Sequence, residues 1–220
     1  MMREKITSRK NPLLQHVRKL LTSRSYREKS GEYAADGVKL LAEAIKWTPE
    51  TLRTVLVTAS VQVDDLPEQV RLVEIPDDVM EQISPMETPQ GALFTCALPV
   101  QMDFVPDDRM LVLDGIQDPG NLGTIIRTAD ALEIPVVLTP GCADAYNPKT
   151  VRATMGAVFR CPVWVCDVPH LRALLTASGL PLYGAALRAE TIDARTADYS
   201  RCAILARRRI SSMRMQVRSC

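Results

Sequence analysis

The stretch LDGIQDPGNLGTIIRTADA, Leu113 to Ala131, gathers the residues of this chain best suited to chemistry. An apolar run gives way to the polar turn QDPGN, and an amphipathic segment follows. Asn121 stands at the turn, and Arg127 comes six residues later in otherwise apolar company. A guanidinium is cationic at neutral pH and carries five donors in a planar fork. It can hold an anion, stabilise one that develops during a reaction, or make a plain salt bridge on a helix surface. Asn121 can orient a bound group with its amide or simply cap a helix. Gly120 and Gly123 read as backbone-turn residues. A second stretch, NPKTVRATMGAVFR from Asn147 to Arg160, has Asn147 as a cap, Arg152 as a cation that could face a phosphate backbone, and Gly156 as a close-packing position.

Several chemistries are excluded or disfavoured. There is no G-x-G-x-x-G after a strand, no G-x-x-x-x-G-K-[ST], and no G-x-S-x-G, so a phosphate-cradling loop and a nucleophile elbow are poor readings. The six cysteines (Cys96, Cys142, Cys161, Cys166, Cys202, Cys220) form no C-x-x-C pair, and His16 and His170 are far apart in sequence. No metal site is expected, and the cysteines read as small buried hydrophobes in a reducing cytoplasm. No apolar run is long enough to span a bilayer, and the first residues lack the apolar core of a secretory signal. The net charge of +1 decides nothing about partners. Its distribution says more, because the first 29 residues are rich in Lys and Arg and poor in acidic groups. Arg9, Lys10 and Arg18 there are candidate phosphate contacts, with a solvated helix face as the alternative.

These residues need elements to position them. In the first half, Asn11-Pro12 starts a helix, KLLAEAIKW is a second, and DDVMEQIS a third; RTVLVTA, VRLVEIP and the run after TPQG read as strands. The mixture indicates a small α/β domain. The second half alternates as RMLVLDGI (strand), NLGTIIRTADALE (helix), IPVVLTPG (strand), NPKTVRATMGAVFR (helix), CPVWVCD (strand), VPHLRALLTASG (helix), LPLYGAAL and CAILA (strands). That order predicts a parallel sheet with right-handed crossovers and helices on both faces, and ligands in such sheets bind beyond the carboxyl ends of the strands. The aperiodic LPVQMDFVPDDRM separates the halves. The expected layout is 1–98, a linker at 99–108, and 109–220.

LVLDGIQDPGNLGTIIRTADA closely resembles the first signature of SpoU-type (TrmH-like) RNA ribose 2′-O-methyltransferases of the knotted SPOUT superfamily, and NPKTVRATMGAVFRCPV resembles the second. ITSRKNPLLQHVRKL, REKSGEYAADGVKLLAEAI and ETPQGALFTCALP resemble the small ribosomal-protein-like RNA substrate-binding domain often fused ahead of them, with Asp36-Gly37 where the family usually has Glu-Gly. The resemblance covers about residues 5 to 204. It implies S-adenosylmethionine as methyl donor, RNA (ribosomal RNA by the two-domain layout) as substrate, and a homodimer. It further implies that Arg127 is the catalytic residue, stabilising the alkoxide that forms at the 2′-hydroxyl and positioning the sugar, with Asn121 orienting the same site. Arg9, Lys10, Arg18 and Arg152 would then contact RNA. Ala185, Ala186 and Leu187, at the end of a strand, would lie against the cofactor.

The family's third signature, a glycine-rich N-E-G loop, an I-P-M segment and S-L-N-V-S-V-A, should follow CAILA. Residues 205 to 220 instead hold five arginines, no acidic residue and no glycine. That switch in mid-motif reads as a shifted frame or an altered gene copy, or else as a basic arm for RNA. It predicts an incomplete knot, a weakened cofactor pocket, a homodimer in question and low activity. The alternative function is a non-catalytic RNA-binding protein derived from such an enzyme.

Overall fold

The computed structural model describes residues 3–100, 106, 108–184 and 198–207. Two five-stranded sheets follow one another along the chain. The first contains β1 (Glu4–Lys5), β2 (Glu32–Asp36), β3 (Leu52–Val57), β4 (Arg71–Glu74) and β5 (Ala92–Ala97), in the order β1-β4-β3-β5-β2. It is mixed: β4 runs parallel to β1 and β3, whereas β5 is antiparallel to β3 and β2. One face is covered by α1 (Pro12–Thr22) and α4 (Asp77–Ile83), which bury Leu14, Val17, Leu20, Val79, Met80 and Ile83 against Ala34, Leu56, Val73 and Leu93. The short helix α2 (Arg24–Ser30) follows α1, and α3 (Val38–Trp47) lies on the other face.

The second sheet contains β6 (Arg109–Asp114), β7 (Val136–Leu138), β8 (Val163–Val165), β9 (Leu182–Gly184) and β10 (Cys202–Arg207). Its order is β8-β7-β6-β10-β9, and every pairing is parallel. Alternation along β6 divides the core in two. Leu113 joins α5 (Pro119–Ala131) through Leu122, Ile126 and Ala129 on one face, while Met110 and Val112 join α7 (Val168–Ala177) through Leu171 and Leu175 on the other. The expected parallel sheet with helices on both faces is what forms. The chain steps from β6 to β7 to β8, then returns to the far side of β6 for β9 and β10. The order therefore reverses beside β6, where such sheets open a crevice at the carboxyl edge.

Four helices start the same way. Asn11, Asp118, Asn147 and Asp167 accept backbone N–H bonds within the first turn, and proline occupies one of the first two helical positions. Proline there has no N–H to leave unpaired, and its fixed φ suits the helix. NPKTVRATMGAVFR corrects the expectation of one helix. The helix α6 spans only Pro148–Ala153, and a 3-10 turn at Ala157–Phe159 follows. Between them Met155 (φ 52°) and Gly156 (φ 94°) turn left-handed. A Cβ on Gly156 would stand 2.8 Å from Cγ of Glu43, so the position requires glycine for space as well as conformation.

That break places a packing surface. Val151, Val158 and Phe159 from the second half are buried in the same cluster as Tyr33, Leu40, Leu41, Val55 and Phe94 from the first. Tyr33 and Tyr146 stack across the seam with ring centroids 4.9 Å apart. Full burial of a side chain such as Phe159 is worth about 1.5–3 kcal/mol, so the seam is a core in its own right. Ion pairs frame it. Arg27, only 3% exposed, donates from Nε at 3.0 Å and Nη2 at 2.6 Å to Asp144, and from Nη1 at 2.6 Å to the Leu20 carbonyl. Arg160 pairs with Glu43 across the seam and with Asp130 at 2.7 Å within its own half.

Candidate active site at the carboxyl edge of the parallel sheet

β6 delivers Asp114 to the carboxyl edge, and the loop beyond it turns into α5. Asp114 accepts a 2.6 Å bond from the Thr139 hydroxyl, and Thr139 N–H donates to the Leu113 carbonyl at 2.9 Å, so the ends of β6 and β7 are tied together. The N-cap of α5 is Asp118, whose Oδ1 accepts from Asn121 N–H at 2.7 Å. That N–H, helped by Lys149 3.7 Å away, holds the Asp118 carboxyl below its ordinary range. Asn121 is thus neither the cap nor a turn residue: it sits inside the first helical turn, and its side chain is exposed. Asp118-Pro119 is the same cap-and-proline pair as Asn11-Pro12 and Asn147-Pro148, and that signal was available in the sequence.

Asn121 lines an open cleft of about 420 Å³ with Ile116, Gln117, Asp118, Thr124 and Ile125. Such a volume suits a small ligand or a single nucleotide unit. Arg127 lies further along α5 and does not line this cleft. Six helical residues correspond to about 9 Å of rise and leave the two side chains about 120° apart round the axis. Arg127 is exposed, and among the described residues its side chain has no hydrogen bond or ion pair, so the salt-bridge alternative is not realised there. It stands on the solvent edge of α5 with its charge unspent.

Gly123 serves packing, not the turn, which instead uses Gly115 at φ 68°. Gly120 and Gly123 are both within α5. A Cβ on Gly123 would meet the Ala153 Cβ and the Thr150 carbonyl oxygen at 2.6 Å each, so α5 and α6 touch through backbone at this point. This close contact accompanies the 3.7 Å pairing of Asp118 with Lys149 of α6.

Other candidates are not gathered at this edge. Arg152 reaches back across the seam to Asp36 at 3.4 Å and contacts the Met86 sulfur, so its guanidinium is engaged between the two halves. Asp36 is buried, and desolvation raises its carboxyl above the ordinary range while Arg152 offsets part of that rise. Arg9 pairs with Asp78 of α4, and Arg18 bonds Gln82 at 3.4 Å. Both, with exposed Lys10, belong to the sheet face covered by α1 and α4, opposite the face that meets α6. Ala185, Ala186 and Leu187, the tail 208–220 and the knot lie outside the described residues. Of these, only the strand leading to Ala185, β9, is described, and it ends beside β10. Among the described residues no cluster of His, Cys, Asp and Glu could hold a metal ion, and no helix is long and apolar enough to cross a membrane.

Known proteins align with both halves. Residues 108–206 match the SpoU rRNA Methylase family, and residues 11–93 match the MRM3-like substrate binding domain. The 23S rRNA (guanosine(2553)-2′-O)-methyltransferase RlmP of Bacillus subtilis is 35% identical over 187 residues, covering 84% of this chain and 74% of that protein. The human mitochondrial rRNA methyltransferase 3 is 33% identical over 163 residues, 68% of this chain, and the match spans only 39% of its length. The AdoMet-bound rRNA methyltransferase structure from Sinorhizobium meliloti superimposes with a TM-score of 0.82 at 28% identity, covering 94% of this chain and 82% of that one. By its first signature, its parallel sheet and these matches, the chain belongs to the SpoU rRNA methylase family.

Proposed function

We propose that the protein transfers a methyl group from S-adenosylmethionine to a ribose 2′-hydroxyl of ribosomal RNA. The observation that carries this is α5: in a chain of the SpoU family it sets Asn121 in a cleft at the carboxyl edge and leaves Arg127 exposed and uncommitted among the described residues. A 2′-hydroxyl is a poor nucleophile and loses its proton as it attacks. Arg127 would stabilise the negative charge that develops on that oxygen and hold the sugar or its neighbouring phosphate. Asn121 would orient the ribose with its amide. The 2′-hydroxyl is also the group that distinguishes RNA from DNA, so recognition and chemistry meet at one atom.

S-adenosylmethionine supplies the electrophilic methyl group when bound. The carboxyl edge offers groups that fit its mixed character: the Ile116 side chain could pack on its apolar parts, and the Asp114 carboxylate at the end of β6 could complement its positive charge. Ala185, Ala186 and Leu187, directly beyond β9, would hold it through backbone groups. Residues 1–98 would serve as the RNA substrate-binding domain, with 99–108 as linker and 109–220 as the methyltransferase domain. Arg9, Lys10 and Arg18 would then contact RNA away from the reacting ribose. A homodimer in the cytoplasm completes the reading.

A second reading, RNA binding without methyl transfer, is favoured by residues 205–220, whose five arginines stand where the third signature would be. Calorimetric titration with S-adenosylmethionine separates the two. Micromolar affinity supports the enzyme; RNA binding by folded protein that takes up no S-adenosylmethionine leaves only the binding function.

A further inference from the structure

The helix α2 carries two arginines three residues apart, which places them on one face. Arg27 is committed to Asp144 and Leu20 and pins α2 to the loop between β7 and α6. Arg24, one turn earlier, lines a small cleft with Thr139, Gly141, Ala143, Asp144 and Tyr146 of that same loop. Ala143 N–H donates to the Ile116 carbonyl at 2.7 Å, and Ile116 lines the cleft of Asn121. One backbone bond therefore joins a residue lining the small cleft to a residue lining the Asn121 cleft. Gly141 in that small cleft has nothing within 4 Å of an added Cβ, so the cleft is open to solvent there.

Among the described residues the Arg24 guanidinium is held by Glu28 alone, at 2.8 Å, with the two side chains 57% and 60% exposed. An exposed i,i+4 pair of this kind is weak and exchanges readily for a stronger anion. Arg9 and Arg18 lie on the far face of the first sheet. Arg24 is thus a cation of the basic N-terminal stretch that lines a cleft with the loop after β7 at the carboxyl edge.

We propose that Arg24 is a phosphate-binding residue for the RNA substrate, taking a backbone phosphate of the strand that enters the Asn121 cleft. This rests on the RNA methyltransferase reading above. α2 then has a divided task, with Arg27 fixing the helix and Arg24 using the position so gained. The guanidinium fork suits a phosphate because it offers two parallel donors.

The test is binding of transcribed large-subunit ribosomal RNA to the full chain between 50 and 200 mM salt, for wild type, Arg24→Ala, Arg24→Lys and Glu28→Gln. Loss of one phosphate contact lowers the slope of log affinity against log salt by about 0.7–0.9, so the Arg24→Ala deficit shrinks about threefold across that range. Arg24→Lys keeps the slope, Glu28→Gln binds more tightly than wild type, and S-adenosylmethionine affinity is unchanged in all. Wild-type slope and affinity in Arg24→Ala, or equal losses in the alanine and lysine variants, would overturn the assignment. A wild type that shows no salt-dependent RNA binding would overturn the substrate reading itself, a result distinct from either.

Discussion

Replacing Asp144 by alanine leaves the guanidinium of Arg27 in a site where its residue is 3% exposed, with one carbonyl bond and no counter-charge. Breaking a buried pair by removing one partner costs about 3–5 kcal/mol, because the remaining charge stays desolvated. The variant also loses the 2.8 Å bond that Asp144 accepts from Tyr146 N–H, worth about 1 kcal/mol. Asp144 is 16% exposed and partly reached by water, which favours the lower end, so the expected loss is about 4 kcal/mol. For a chain of this length that lowers the melting temperature by roughly 8–16 °C in scanning calorimetry. Arg71 and Glu4 supply an internal control. They form a two-donor pair with both bonds at 2.8 Å, but with side chains 48% and 47% exposed, so water screens the pair and Glu4→Ala leaves the melting temperature close to that of the wild type. Arg27→Met in the Asp144→Ala background removes the stranded charge and recovers stability. Equal shifts for Asp144→Ala and Glu4→Ala, or a double variant no more stable than Asp144→Ala, would refute the reasoning that burial sets the cost.

Gly123→Ala tests the contact of α5 with α6: helix propensity alone would stabilise by up to about 1 kcal/mol, whereas the 2.6 Å approaches to Ala153 and Thr150 predict a loss of about 1–3 kcal/mol, read from urea denaturation. Arg127→Ala should lower the rate constant for methyl transfer by about 10²–10³-fold while changing stability by less than about 0.5 kcal/mol, since the side chain is exposed; parallel loss of both would assign it a structural role. Burial pushes the Cys96 thiol up to about 12 and the Cys161 thiol up to about 11, so at pH 8 both are protonated. Iodoacetamide at that pH should leave both unlabelled in native protein and label them after denaturation, as peptide mass spectrometry would show.

The parallel sheet was legible because its strands are near-continuous apolar runs and its helices begin with a cap and a proline. The same rule applied to Asp118-Pro119 places the start of α5 two residues before Asn121. The break after α6 was not legible, since Met155 adopts a left-handed backbone that its residue type does not announce, and only the approach of Glu43 explains why glycine follows. β2 is not announced because Glu32–Asp36 begins and ends on a charged residue and holds two alanines, yet it packs between β5 and the second half. Arg152 looked available for RNA because nothing nearby in sequence opposes it. Its partner, Asp36, lies 116 residues away, and the Arg27–Asp144 pair is separated by 117. Such contacts are set by how the two sheets dock, which periodicity does not encode. The site follows the same division: Asn121 and Arg127 were found by residue type and resemblance, whereas Arg24 emerged only once α2 was seen to face the loop after β7.

The most direct test of the central claim is transfer of label from methyl-tritiated S-adenosylmethionine to ribosomal RNA, followed by alkaline hydrolysis. A methylated 2′-oxygen cannot attack the adjacent phosphate, so the account predicts label in alkali-resistant dinucleotides with wild type and its near absence with Arg127→Ala. Label released in mononucleotides would place the methyl group on a base, and no transfer by folded, RNA-binding protein would contradict the enzymatic reading.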